Sequence, residues 1–120
     1  MPILRVGLFL LVAAAVNAYA EDHHESGHVA SPQQYDLLLD NERALVLKMV
    51  LKPGESDSFH RHNNETVYFE KGSKLRIETL GGETIIADIP DGHVMWHQAW
   101  THRVTNLGEK TAIAIIVEEK

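Results

Sequence analysis

The chain has 120 residues, of which 44% are hydrophobic and 23% are charged, a composition typical of a folded domain and not of a disordered chain. Its 11 Lys+Arg against 17 Asp+Glu give a net charge of −6, which argues against binding nucleic acid, because phosphate backbones attract Lys and Arg. The absence of cysteine excludes disulfides, thiol catalysis, cysteine-based zinc sites and iron–sulfur clusters.

The N-terminus has the pattern of an export signal. An apolar run, Val-Gly-Leu-Phe-Leu-Leu-Val-Ala-Ala-Ala-Val, follows Arg5. As a helix it would span about 16 Å at ~1.5 Å per residue, too short for a bilayer core of about 30 Å. Ala18-Tyr19-Ala20 then supplies the small residues that a signal peptidase reads. We predict a signal peptide over residues 1–20, an exported protein and no stable membrane anchor; the alternative is a short N-terminal anchor helix.

Residues 21–34 are polar, carry His23, His24 and His28, and are predicted to form a flexible tail. Cleavage after Ala20 would create the terminus Glu21-Asp22-His23. Its free amine, two amides and one imidazole form a square-planar set of nitrogens suited to Cu(II) or Ni(II). A solvated tail that binds no metal is the alternative.

From residue 35 onward the chain alternates short β-rich runs with turns. The predicted strands are Tyr35–Leu39, Ala44–Leu51, Ser58–His62, Thr66–Glu70, Lys74–Leu80, Glu83–Ile89, His93–Trp96, Thr101–Asn106 and Thr111–Glu118. Gly81-Gly82 predicts a two-residue hairpin turn with both central residues at positive φ. The start of Asp36–Leu51 could instead be helical. The regular spacing predicts an all-β domain over residues 35–120, a small antiparallel β-barrel or jelly roll.

His60-Arg61-His62 is the sharpest chemical feature. Residues two apart in a strand point to the same face, so both imidazoles could close on one metal ion. Glu65 follows three residues later, and His102 lies in a strand that a small barrel could bring alongside. Two or three imidazoles with one carboxylate suit Fe, Mn, Ni, Cu or Zn better than Ca or Mg. His97, in a shifted register, is an alternative to His102.

The glycines around these histidines extend the pattern to both halves of the domain. Gly54, His60, His62, Glu65 and Gly72 resemble the first signature of the cupin superfamily, and Gly92, His102 and Asn106 resemble the second. The interval between His62 and Glu65 is one residue shorter than is usual in that family. The resemblance implies a β-barrel holding one divalent transition metal through His60, His62, Glu65 and His102. The short interval could instead turn Glu65 outward and leave three histidines.

The aromatic and polar residues near these blocks are candidates for a substrate pocket. We expect Tyr68, Trp96, Gln98 and Trp100 to contribute to it, although core packing or a solvated turn is the plainer interpretation of some of them. Within the cupin superfamily, dioxygenases and sugar or uronate isomerases are common, and homodimers are expected. The resemblance therefore implies a metal-dependent enzyme for a small oxygen-bearing molecule; a non-catalytic module that binds a metal or a small ligand is the alternative.

Overall fold

The structure is a computed structural model that describes residues 22–120. The predicted signal peptide, residues 1–20, lies outside this range. Within residues 22–120, one short helix, α1 (Gly27–Ala30), precedes nine strands. The strands are β1 (Tyr35–Asp40), β2 (Ala44–Leu51), β3 (His60–His62), β4 (Glu65–Lys71), β5 (Lys74–Thr79), β6 (Thr84–Asp88), β7 (Val94–His97), β8 (Trp100–Asn106) and β9 (Ala112–Glu119).

The strands form two antiparallel sheets that share one core. The larger sheet has the order β1-β2-β9-β4-β7, and the smaller has the order β3-β8-β5-β6. Leu47 and Ile116 from the larger sheet and Leu75 and Val104 from the smaller sheet belong to a single buried cluster. The all-β prediction is therefore confirmed, and all nine predicted strands occur within a few residues of their predicted bounds.

The segment from residue 36 to residue 51 is not helical. It forms strands β1 and β2, which pair with each other, and β2 alternates strictly between buried and partly buried residues. That alternation has the period of a strand and lets Leu45, Leu47, Met49 and Leu51 enter the core together. The helical alternative is therefore wrong, because the side chains that need burial lie two residues apart.

The hairpin between β5 and β6 differs from the prediction in detail. Gly82 has a φ of 85°, but Gly81 is not among the glycines at positive φ. The turn is closed by hydrogen bonds from the Thr79 amide to the Glu83 carbonyl and from the Gly82 amide to the Thr79 carbonyl. Only one residue of the pair therefore needs the conformational freedom of glycine.

Part of the segment predicted to be a flexible tail packs against the barrel. The amide of Arg61 on the edge strand β3 donates to the Glu25 carbonyl at 2.8 Å, and the Ser58 amide donates to the Ser31 hydroxyl at 2.8 Å. Gly27 is buried so close to Tyr35 that an added Cβ would lie 3.2 Å from its ring. Unpaired backbone groups on an edge strand need partners, and this segment supplies them. Within residues 22–120, no helix is long and apolar enough to cross a membrane.

Candidate metal centre

Three histidines meet inside the barrel. Strands β3 and β8 are antiparallel neighbours, and their register sets His60 directly opposite His102, while His62 lies on the same face of β3 as His60. The ring centroids lie 4.6 Å apart for His60 and His62, 4.8 Å for His60 and His102, and 5.0 Å for His62 and His102. All three side chains are buried, and one nitrogen from each lies within 4.8 Å of the other two.

Two of these imidazoles are held in the neutral form that can bind a metal. Burial, together with the nearby charge of His62, lowers the pKa of His60 to about 3. The same causes hold the pKa of His102 well below its usual value. The Nδ1 of His60 donates to the Ser58 carbonyl at 2.7 Å, so its Nε2 keeps a free lone pair. Neutral imidazoles with a free nitrogen are the form in which histidine ligates metals.

His62 is oriented by Glu118, which enters the site from strand β9. The His62 Nδ1 donates to the Glu118 carboxylate at 2.8 Å, and the other oxygen of that carboxylate accepts the Asn63 amide at 2.9 Å. Burial opposes the protonated form of His62, but the hydrogen bond to Glu118 and the charges of Glu65 and Glu118 outweigh it and raise its pKa. A carboxylate behind a histidine fixes the ring orientation and makes the opposite nitrogen a stronger ligand.

Glu65 points into the barrel, so its shorter interval does not turn it outward. It is buried and lies opposite Glu118 on the neighbouring strand. Its carboxylate is 3.2 Å from the His62 Nδ1, but that nitrogen has one hydrogen, which goes to Glu118. One Glu65 oxygen is therefore buried without a hydrogen-bond partner, and burial raises the pKa of this carboxyl. Glu65 lies beside the cluster of three histidines, which is complete without it.

The donor set fits a divalent transition metal. It offers three convergent imidazoles. The Nδ1 of His102 and one carboxylate oxygen of the nearby Glu65 are buried without a hydrogen-bond partner. Sites of this composition, with positions left open, suit Fe, Mn, Ni, Cu or Zn.

His97 is not part of the cluster. Its ring stacks on that of Trp100 with the ring centroids 3.6 Å apart, and its Nδ1 donates to the Gln98 carbonyl. The alternative that replaced His102 by His97 is therefore wrong.

Solved structures similar to this chain include a cupin domain protein from Bordetella pertussis, which is 24% identical in sequence. The match covers 72% of this chain and 91% of that protein, with a TM-score of 0.65. An RmlC-like cupin family protein with a double-stranded β-helix fold from Methanocaldococcus jannaschii is 15% identical, with 82% and 90% covered and a TM-score of 0.59. This chain has the cupin fold. The polyketide cyclase RemF from Streptomyces resistomycificus shares that fold at 17% identity, with 79% and 68% covered and a TM-score of 0.53. No family model and no curated protein matches the sequence.

A small cavity lies beside His102 inside the cupin barrel. Its volume is about 40 Å³, room for roughly three waters at ~10–15 Å³ each. Its polar boundary is formed by Tyr35, Glu65, Trp100 and His102. The remaining lining is apolar and consists of Met49, Val67, Phe69, Leu75, Ile77, Met95, Val104, Ala114 and Ile116. In the part of the chain that the structure describes, neither Lys nor Arg lines this cavity, so a bound molecule would present mostly apolar groups to the wall.

Only one of the four predicted pocket residues lines the cavity. Trp100 does so, because it pairs with His62 and shares its inward face, and its ring centroid is 4.3 Å from that of His102. Tyr68 and Trp96 lie on the outer face of the larger sheet, 46% and 58% exposed. Gln98 is exposed in the turn between β7 and β8. The pocket prediction is wrong for these three residues.

Sequence reasoning missed three buried polar residues beside the histidines. The Tyr35 hydroxyl donates to the Asp57 carboxylate at 2.9 Å and lies 3.2 Å from the His60 Nε2. Burial raises the pKa of Asp57 to about 6 and that of Tyr35 well above its usual value. The third is Glu118, which the sequence could have revealed: inward residues of β9 alternate as Ala112, Ala114, Ile116 and Glu118. Tyr35 and Asp57 carry no such signal, since their partners are distant in sequence.

Replacing Glu118 with glutamine tests its role in orienting His62. Each carboxylate oxygen of Glu118 accepts one N–H, from the His62 ring or from the Asn63 amide. A glutamine side chain has only one oxygen, so its NH₂ group would face one of these two donors and that hydrogen bond would be lost. We expect Glu118→Gln to weaken metal binding by about 10–100-fold, as losses of such supporting hydrogen bonds typically do. Metal titration of the purified variant measures this. The control is Glu119→Gln on the next, exposed residue, and equal affinities of the two variants would contradict the assignment.

Proposed function

We propose that this chain is a metal-dependent cupin enzyme acting on a small oxygen-bearing molecule, with dioxygenase-like or isomerase-like chemistry. The observation that supports it is the cluster of three buried histidines, of which His102 lines a small, mostly apolar cavity. His60, His62 and His102 would hold the metal, with Glu65 as the candidate fourth ligand. When bound, a divalent transition metal supplies Lewis-acid or oxygen chemistry.

The chain's own residues define what could bind beside it. The apolar wall and the cavity volume of about 40 Å³ favour a compact molecule with few polar groups, because buried polar groups without partners are costly. The polar groups that could hydrogen-bond it include the Tyr35 hydroxyl, the unpartnered Glu65 oxygen and the unpartnered Trp100 indole N–H. Trp100 forms part of the wall beside His102 and would exclude water from that side.

The test of this proposal is turnover by the metal-loaded protein. Oxygen uptake and product formation are measured with small oxygen-bearing compounds, such as diketones, hydroxy acids and sugars, for protein loaded with each candidate metal. We expect activity with one metal and one compound class. Saturable metal binding without oxygen uptake or change in any compound would contradict the proposed enzyme. It would favour the alternative, a non-catalytic module that binds a metal or a small ligand, and the small size of the cavity also supports that alternative.

We also propose that the protein is exported. The apolar run before Ala18-Tyr19-Ala20 supports cleavage after residue 20. N-terminal sequencing of the protein recovered from outside the cytoplasm would give a chain beginning at Glu21. Recovery of the uncleaved chain in the cytoplasm would contradict it.

A homodimer is the expected assembly, through the outer face of the larger sheet. Val94 and Trp96 on β7, Tyr68 on β4 and Val117 on β9 are exposed, and the strand register makes them neighbours. Contiguous exposed apolar side chains on one sheet face are typical of interfaces. We expect Trp96→Glu to convert a dimer into a monomer in sedimentation experiments. Leu80→Glu, at an exposed turn of the other sheet, should leave the dimer intact; a wild-type monomer would contradict the assembly.

A further inference from the structure

The Tyr35 hydroxyl faces the same nitrogen that His60 would offer to a metal. The His60 Nδ1 donates to the Ser58 carbonyl, so the Nε2 is the nitrogen with a free lone pair. The Tyr35 oxygen lies 3.2 Å from that Nε2. Two ligand atoms that each lie about 2.0–2.1 Å from one ion are roughly 2.8–3.4 Å apart, for angles between a right angle and the tetrahedral angle. The observed separation falls in this range.

With Asp57 ionised, the Tyr35 contact has one hydrogen fewer than it needs. The Tyr35 hydroxyl has one hydrogen and two acceptors, the Asp57 carboxylate at 2.9 Å and the His60 Nε2 at 3.2 Å. If the hydrogen points to the nearer Asp57, lone pairs of the Tyr35 oxygen and the His60 nitrogen face each other in a buried site. Such a contact is unfavourable without a positive charge between the two atoms. A metal ion supplies that charge.

The surrounding structure holds the phenol ring at this place. Tyr35 is 3% exposed, and its ring packs against Gly27 on one side and lies 5.1 Å from the His60 ring. Asp57 is fixed by the Val104 amide, which donates to its other oxygen at 2.7 Å. Neither side chain can turn away to solvent, so both polar groups must be satisfied where they are.

We propose that Tyr35 is a protein ligand of the metal, binding through its phenol oxygen beside His60, His62 and His102. This inference rests on the proposed metal site. On binding an ion, Tyr35 would break its O–H bond, pass the proton along the existing hydrogen bond to the Asp57 carboxylate, and offer the oxygen lone pair to the ion. No electron is transferred, and the pair Tyr35–Asp57 keeps the same total charge. The site then contains three imidazoles and one phenolate.

A phenolate ligand has a spectroscopic signature that a structural tyrosine lacks. Cu(II) bound to phenolate gives an intense charge-transfer band in the visible, and resonance Raman excitation in that band enhances the ring vibrations of the bound tyrosine. The probe is Cu(II) alone, added to the full chain carrying His23→Ala and His24→Ala so that these two tail histidines do not compete. We expect this chain to show the band, Tyr35→Phe to lose it and bind Cu(II) at least ~10-fold more weakly, and Tyr68→Phe to match the parent.

Tyr68 is the matched control because its phenol is exposed on the outer face of the sheet, away from the histidines. A Cu(II)-loaded parent chain without the band overturns the assignment of Tyr35 while leaving the histidine site standing. A band that persists in Tyr35→Phe overturns it as well. Failure of the parent chain to bind Cu(II) overturns both this assignment and the metal site. The Raman spectrum of the parent chain shows by itself whether a tyrosine binds the ion, so the absence of that signature overturns the assignment whether or not the variant folds.

Discussion

His102→Ala is expected to leave a folded protein that no longer retains metal. His102 is the only member of the three-histidine cluster from β8, so its loss leaves two adjacent histidines on β3 to hold an ion. We expect affinity for Zn²⁺ or Fe²⁺ to fall by more than ~100-fold, beyond the 10–100-fold loss typical when only a supporting hydrogen bond is removed. Metal analysis after dialysis measures the effect, and circular dichroism checks the fold.

The control for this variant is His93→Ala. His93 precedes β7, is partly buried and packs near Phe69, with ring centroids 6.3 Å apart, but it is not in the cluster. It should retain as much metal as the wild type. Retention of stoichiometric metal by His102→Ala, or equal losses in both variants, would contradict the assignment of the three histidines.

Gly72→Ala is expected to destabilise the barrel by about 3 kcal/mol or more. A Cβ at this position would lie 1.8 Å from the Ile89 carbonyl oxygen, so backbone atoms in two segments would have to move apart. That movement would also disturb the hydrogen bond from the Gly72 amide to Asp91 and the bond from the Ile89 amide to the Ser73 carbonyl. Forced overpacking typically costs 1–3 kcal/mol and more where the backbone must shift. Denaturant unfolding monitored by tryptophan fluorescence measures it.

Gly81→Ala is the matched control at a second turn. The nearest atom to its added Cβ is the Thr79 hydroxyl oxygen at 3.9 Å, and Gly81 is not at positive φ. Its effect should stay within about 0.5 kcal/mol, as is usual for surface substitutions. Equal unfolding midpoints for Gly72→Ala and the wild type would show that the close approach at Gly72 does not exist in the folded protein.

The strands could be predicted because their alternation is strong and local. In β2 the apolar residues Leu45, Leu47, Met49 and Leu51 recur at every second position, and all four are buried. The same rule would have placed Tyr68 outward, since Val67 and Phe69 on either side of it face the core. The pocket prediction for Tyr68 and Trp96 followed closeness in sequence to the signature blocks instead, and closeness in sequence does not determine the face of a strand.

The polar surroundings of the histidines could be predicted only in part. The pair His60 and His62 follows from the period of a strand. His102 lies in a predicted strand that a small barrel could bring alongside, and the resemblance to cupins implies that it is a ligand. The contacts of Tyr35 with Asp57 and of His62 with Glu118 join residues 22 and 56 positions apart, and they depend on sheet order. The packing of residues 25–31 on β3 could not be predicted either. These residues provide hydrogen-bond partners for β3 because it is an edge strand, and the sequence does not show which strand lies at the edge of a sheet.

The central claim is that this barrel holds one metal ion on His60, His62 and His102. The most direct test is elemental analysis of the protein carrying His23→Ala and His24→Ala, purified without added metal and again after loading. These substitutions are preferable to truncation, because the Glu25 carbonyl and helix α1 support β3 and Tyr35. We expect about one Fe, Mn, Ni, Cu or Zn per chain. Absence of bound metal, even after loading with each of these ions, would contradict it.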